Sequence, residues 1–98
     1  MKLHYAIHAY AWTPSWSNRT LDLVDRAKGL GFDLLEVPLM EIDLVDPAAI
    51  RARAAAVGIG LCTSTACGMD TDPTAEDPAV RRRGVEYLKR CIRATADM

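Results

Sequence analysis

The chain has 98 residues, of which 50% are apolar and 26% charged, and its net charge is −1. This length allows one domain with a modest core. The 12 basic and 13 acidic side chains give no basic excess of the kind that nucleic-acid-binding domains carry, and no run of apolar residues is long enough to span a membrane. We therefore expect neither nucleic acid nor a membrane as a partner.

The cysteines and the N-terminus predict a cytoplasmic protein. Residues 1–5 lack the apolar stretch of a signal peptide. The cysteines are three in number, without a Cys-x-x-Cys pair, which favours reduced thiols rather than disulfides.

The first strand is predicted over Lys2–Tyr10, where residues alternate with the period of two of a pleated strand. One face carries Leu3, Tyr5 and Ile7, and the other His4, Ala6 and His8. The loop that follows contains Trp12 and Trp16. These indoles either plug the top of the core or form the wall of a ligand site.

The first helix is predicted over Asn18–Leu30, capped by Ser17 or Asn18 and closed by Gly31 at positive φ. The apolar run that follows, Phe32 to Val37, has the length of a buried strand. Pairing should end at Pro38, which lacks an N–H. Glu36 therefore lies at the carboxyl end of this strand, the edge where α/β folds bind ligands.

Two further units follow the same plan. Asp46-Pro47 and Asp77-Pro78 each combine a capping carboxylate with a proline that starts a helix, and Gly58 ends the first of these two helices. The third strand is predicted over Ile59–Ser64. In the third helix, the apolar positions recur every four residues: Val80, Gly84, Leu88 and Ile92. The Arg81–Arg83 run is expected on a solvated face, paired with acids such as Glu76 or Asp77.

The predicted order, β-α-β-α-β-α with a repeat of about 30 residues, indicates α/β architecture with parallel strands. An open doubly wound sheet and part of a (β/α)8 TIM barrel both fit. The strand faces favour the barrel, because each strand has one bulky apolar face and one smaller or more polar face. His8, Glu36 and Ser64 would then point inward at adjacent strand ends, where a barrel interior becomes polar.

A complete barrel needs eight units and roughly 250 residues, whereas three units are present. We therefore expect residues 1–98 to be one incomplete domain, the N-terminal portion of a (β/α)8 TIM barrel. The third strand would then have an unpaired parallel edge.

Three stretches resemble the sugar phosphate isomerase/epimerase group of the xylose-isomerase-like barrels, and most of all the D-tagatose and D-psicose 3-epimerases. They are His8-x-Tyr10-x-Trp12-x-x-x-Trp16, Leu30-Gly31-Phe32-Asp33-Leu34-Leu35-Glu36-Val37, and Glu76-Asp77-x-Ala79-Val80-Arg81-x-x-Gly84-x-Glu86-Tyr87-Leu88-Lys89-Arg90. The resemblance implies a metal-dependent ketose 3-epimerase that exchanges the C3 proton through an enediolate. It also implies a divalent ion (Mn, Co or Mg) in the full-length enzyme, a ketose substrate and a homo-oligomer.

The same resemblance implies that the metal ligands and the acid/base carboxylates come from later strands, so we expect no catalytic residue and no metal ligand in this segment. His8 stands where the family has an aromatic substrate wall, Trp16 matches a tryptophan of the mouth, and Ser64 matches a small residue near the sugar. With Glu36 at the mouth, these residues are the expected substrate-binding set.

Other interpretations remain open. His8 could line the barrel without touching substrate, Ser64 could be a small filler, and Glu36 could be ion-paired to a basic residue of a neighbouring strand. The whole protein could instead resemble an inosose dehydratase or a hydroxypyruvate isomerase. A non-catalytic chain that pairs with a partner through its exposed strand edge is the third possibility.

Overall fold

Three parallel strands form one sheet in the order β1-β2-β3, each followed by a helix, in a computed structural model that describes residues 1–98. The strands are β1 (Ala6–His8), β2 (Leu34–Pro38) and β3 (Gly60–Ser64). The helices are α1 (Leu23–Gly29), α2 (Pro47–Val57) and α3 (Pro78–Asp97). Short 3-10 turns span Ala9–Ala11, Asn18–Thr20 and Ile42–Leu44. The predicted series of three parallel βα units is confirmed.

The helix boundaries follow the capping residues closely. The Asp46 carboxylate accepts the Ala49 N–H at 3.1 Å at the start of α2, and the Asp77 carboxylate accepts the Ala79 N–H at 2.8 Å at the start of α3. Gly58, at φ +73°, ends α2 in the left-handed conformation that glycine adopts at little cost.

The first strand is shorter than predicted, because the amide of Tyr5 is used elsewhere. Its N–H donates to the carboxylate of Asp33 at 2.8 Å, so only its carbonyl, which accepts the N–H groups of Asp33 and Leu34, takes part in the main-chain contact with the second strand. Leu3 and Tyr5 are each 62% exposed. The alternation of the two strand faces therefore begins in the sequence before the first residue that pairs with β2.

The first helix also begins later than predicted. Ser17 and Thr20 form a reciprocal capping box, which tightens the first turn into a 3-10 turn over Asn18–Thr20. Only from Leu23 does the chain continue as an α-helix.

The core lies on one side of the sheet. Leu35 and Val37, which point to the same face of β2, are fully buried. The helices contribute further buried side chains, which include Val24, Ala27, Ile50 and Ala54. The opposite face of the sheet is only half-buried. Helices on a single face are the arrangement of a barrel wall and exclude the doubly wound alternative for this segment.

Two expectations for α3 are wrong. Ile92 is 68% exposed, while Cys91 and Ala94 are buried. A helix turns every 3.6 residues, so a row of residues spaced by four drifts around the helix and leaves the buried face. The arginine run also lacks carboxylate partners: Arg81 donates to the carbonyls of Ala75 and Glu76, and Arg83 to that of Asp70.

No helix of the chain combines the length and the apolar character needed to cross a membrane.

Candidate functional site

The register of the sheet places the predicted site residues on one face. His8 pairs with Glu36, and Glu36 pairs with Cys62. Ser64 follows two residues after Cys62 and pairs with Pro38. Because alternate residues of a strand share a face, the four polar side chains His8, Glu36, Cys62 and Ser64 line the side of the sheet that the helices leave open. All four are half-buried.

The structure brings His8 and Ser64 into direct contact. The Nε2 atom of His8 lies 2.8 Å from Ser64 Oγ, so the two side chains connect the first and third strands above β2. The other ring nitrogen of His8, Nδ1, accepts the N–H of Tyr10 at 3.0 Å. The His8 ring also lies against the ring of Tyr10, with centroids 4.5 Å apart.

Glu36 lies at the centre of this edge, between His8 and Cys62. Its carboxylate makes no hydrogen bond and no ion pair with another residue of the chain, so the alternative of an ion pair with a neighbouring strand finds no partner among these residues. Burial raises the pKa of the Cys62 thiol, and the nearby charge of Glu36 raises it further.

The two tryptophans of the first loop have different environments. Trp16 is 2% exposed and belongs to the core, yet its indole Nε1 is buried without a hydrogen-bond partner. Trp12 is half-buried, and the guanidinium of Arg26 lies 5.0 Å from its ring centroid. Trp16 therefore fills the top of the core, and its buried N–H has no acceptor among these residues.

A second feature was not predicted from the sequence. An open groove of about 710 Å³ lies between the loops that follow β2 and β3 and the side of α3. At its base the hydroxyl of Tyr87 donates to the carbonyl of Leu39 at 3.0 Å and is hydrogen-bonded to Thr65. An ion pair between Arg90 and Asp43 joins its rim. The apolar spacing of α3 did not predict the groove, because its lining comes from separate loops as well as from this helix.

The residues present do not fit a divalent metal site by themselves. No group of three His, Cys, Asp or Glu side chains is close enough to hold an ion.

One-sided helices and a polar edge at the carboxyl ends of parallel strands define a segment of a (β/α)8 barrel. A scan of known protein families finds no match to the chain. Individual proteins, however, are similar over nearly its whole length.

L-ribulose 3-epimerase from Mesorhizobium japonicum is 31% identical over 93 residues, which are 94% of this chain and 31% of that protein. Ketose 3-epimerase from Arthrobacter globiformis is 30% identical over 92 residues, which cover 93% of this chain and 32% of the relative. The chain thus spans about a third of the length of the curated relatives it matches.

Solved structures agree with this similarity. A D-allulose 3-epimerase from Methylomonas sp. superposes with a TM-score of 0.91 at 25% identity, over 97% of this chain and 34% of that one. An L-ribulose 3-epimerase gives 0.86 at 31% identity, over 98% and 33%. The resemblance to ketose 3-epimerases, and the barrel fold that it implied, are confirmed.

Proposed function

We propose that residues 1–98 form an incomplete TIM-barrel domain, the first three βα units of a metal-dependent ketose 3-epimerase, and supply part of its sugar-binding wall. The observation that carries this proposal is the hydrogen bond between His8 and Ser64 beside the free carboxylate of Glu36, at the strand edge where barrels bind their ligands. Similarity to enzymes named ketose and L-ribulose 3-epimerases supports the choice of reaction.

The proposed substrate-binding residues are His8, Trp16, Glu36 and Ser64. Free carboxylate and hydroxyl groups suit a sugar, because each sugar hydroxyl can both donate and accept a hydrogen bond. Trp16 is proposed from the family resemblance, and as a buried residue it would support the wall of the site from within the core. A related D-allulose 3-epimerase has been solved in complex with D-allulose, which supports a ketose as ligand.

The ion and the two acid/base carboxylates belong, in this proposal, to residues outside these 98. A divalent ion would supply charge stabilisation at the reacting oxygens. The role of this chain is to bind and orient the sugar and to offer the edge of β3 to the next parallel strand. We also propose a cytoplasmic location and a homo-oligomeric full-length enzyme.

A hybrid enzyme tests the proposal. Residues 1–98 replace the matched segment of the L-ribulose 3-epimerase from Mesorhizobium japonicum, and ketose epimerisation is followed by product analysis and by deuterium incorporation at C3 from heavy water. We expect turnover and C3 exchange when manganese is present. A folded hybrid that binds manganese without exchanging the C3 proton would contradict the proposed function.

A further inference from the structure

The hydrogen bonds of His8 determine which of its ring nitrogens carries the proton. The N–H of Tyr10 points at Nδ1 at 3.0 Å, and a main-chain N–H can only donate. Nδ1 must therefore present its lone pair. In a neutral imidazole the single proton then resides on Nε2.

This assignment fixes the direction of the bond to Ser64. The Nε2–H of His8 donates to Ser64 Oγ at 2.8 Å. The reverse direction would require a proton on Nδ1, and that proton would face the N–H of Tyr10, donor against donor. Only the first arrangement satisfies both contacts.

The hydroxyl proton of Ser64 is consequently left without an acceptor. A hydroxyl has one donor and two acceptor positions, and no residue of the chain accepts from Ser64 Oγ. The neighbouring strand carries Glu36, whose carboxylate can only accept and also has no partner. The polar edge thus offers one donor and one acceptor on adjacent strands.

Two contacts with Tyr10 fix the orientation of the His8 ring. His8 caps the 3-10 turn over Ala9–Ala11 through Nδ1, and its ring packs against that of Tyr10 at an interplanar angle of 47°. Both contacts are made within the chain and need no ligand, so the orientation of His8 is set before any ligand binds.

We propose that His8 is a positioning residue that fixes Ser64 as a hydrogen-bond donor to the ligand, with Glu36 as the adjacent acceptor. The ligand class that fits is a polyhydroxylated one, in which one oxygen accepts from Ser64 and a hydroxyl donates to Glu36. The identity of the ligand in this inference rests on the proposed function. The proton arrangement of His8 is independent of it, because it follows from the two hydrogen bonds of the ring.

The tautomer is measurable in the 98-residue chain by long-range ¹H–¹⁵N correlation NMR, with His8→Gln to assign the signals. We expect the neutral ring of His8 to be the Nε2–H tautomer. Ser64→Ala should leave the tautomer unchanged and speed the exchange of the Nε2 proton with water. An Nδ1–H tautomer, or averaged tautomers, of His8 would overturn the proposal.

The hybrid enzyme tests the ligand side. Ser64→Ala and His8→Phe should each raise KM roughly 5- to 10-fold, the value of one hydrogen bond, with the smaller effect on kcat. Because His8 acts through Ser64, the double variant should be no worse than Ser64→Ala alone. Additive effects would overturn the positioning role. A folded parent hybrid that binds manganese but does not exchange the C3 proton would contradict the proposed function, and the tautomer measurement would then decide the proton arrangement by itself.

Discussion

Gly84, in the second turn of α3, lies directly against the main chain of Thr71 in the loop between β3 and that helix. A Cβ atom at position 84 would come within 2.9 Å of the carbonyl carbon of Thr71 and 2.7 Å of the nitrogen of Pro73. Real Cβ atoms do not approach backbone so closely. The glycine therefore lets the long loop pack on the helix, where it borders the groove beside Tyr87.

Replacing Gly84 with alanine should destabilise the protein. Helix propensity alone would favour alanine by about 1 kcal/mol, but the added methyl group must displace the main chain of Thr71 and Pro73. We expect a net decrease of about 1–3 kcal/mol in the free energy of unfolding, the usual cost of overpacking. Urea titration followed by circular dichroism measures it.

Gly29→Ala is the matched control, because Gly29 is also helical. No atom lies within 4 Å of the position that its Cβ would take. Its substitution should leave stability unchanged or raise it by up to about 1 kcal/mol. Equal effects of the two substitutions would show that Gly84 has no special packing role.

The hydroxyl of Tyr87 should stabilise the protein, because it donates to the carbonyl of Leu39 in the loop after β2. Tyr87→Phe leaves the carbonyl of Leu39 without its donor and removes the bond to Thr65. We expect a loss of about 1–2 kcal/mol in the free energy of unfolding. Thr65→Val removes the bond to Tyr87 and the weak one from Cys91 Sγ but keeps the bond to Leu39, and it should cost less than Tyr87→Phe.

Burial raises the pKa of Tyr87 above its ordinary value of 10.0, which gives this residue a pH signature. The folded state favours the protonated phenol, so the stabilisation is complete below the unfolded pKa and is lost as the pH rises through the folded pKa. The ultraviolet absorbance of phenolate, compared between the native chain and Tyr87→Phe, should show this residue ionising later than exposed tyrosines. Simultaneous ionisation of all three tyrosines would contradict the burial argument.

The sequence was sufficient for features that depend on local chemistry. The carboxylate of Asp46 and the positive φ of Gly58 define α2 as predicted, because capping and left-handed turns involve residues within a few positions. The shared face of His8, Glu36 and Ser64 also followed from the period of two in each strand.

Features that depend on contacts between distant residues could not be predicted. The sequence does not show that Asp33 accepts the amide of Tyr5, which shortens the first strand. The bond between His8 and Ser64 joins residues 56 positions apart, and its existence depends on the lateral order of three strands.

The ion pair between Asp25 of α1 and Arg53 of α2 should make part of the stability pH-dependent. The hydrogen bond from Arg53 lowers the pKa of Asp25 below its ordinary 3.8. A lowered carboxyl pKa stabilises the folded state above the unfolded pKa, and this contribution is lost as the pH falls through the folded pKa. Arg53→Gln should therefore be less stable than the native chain at neutral pH and equal to it in acid.

Arg51→Gln is the control for this pair. Arg51 is exposed on the same helix and makes no ion pair. It removes one positive charge without breaking the contact between α1 and α2. If Arg51→Gln and Arg53→Gln changed the pH profile of urea unfolding equally, net charge rather than the ion pair would be responsible.

Trp16 should have two separable contributions, one to the core and one to sugar binding. Trp16→Ala removes a large side chain that is 2% exposed and should cost about 3–5 kcal/mol in the free energy of unfolding. Trp16→Phe keeps an aromatic ring in the core and removes only part of the bulk, together with the unpartnered N–H. We therefore expect it to keep most of the stability.

In the hybrid enzyme, Trp16→Phe should nevertheless raise the KM for the ketose, because the smaller ring supports the wall of the sugar site less firmly from within the core. The control is Trp12→Phe, at the half-buried tryptophan that stacks with Arg26, and it should leave KM nearly unchanged. An unaltered KM in Trp16→Phe would limit this residue to packing in the core.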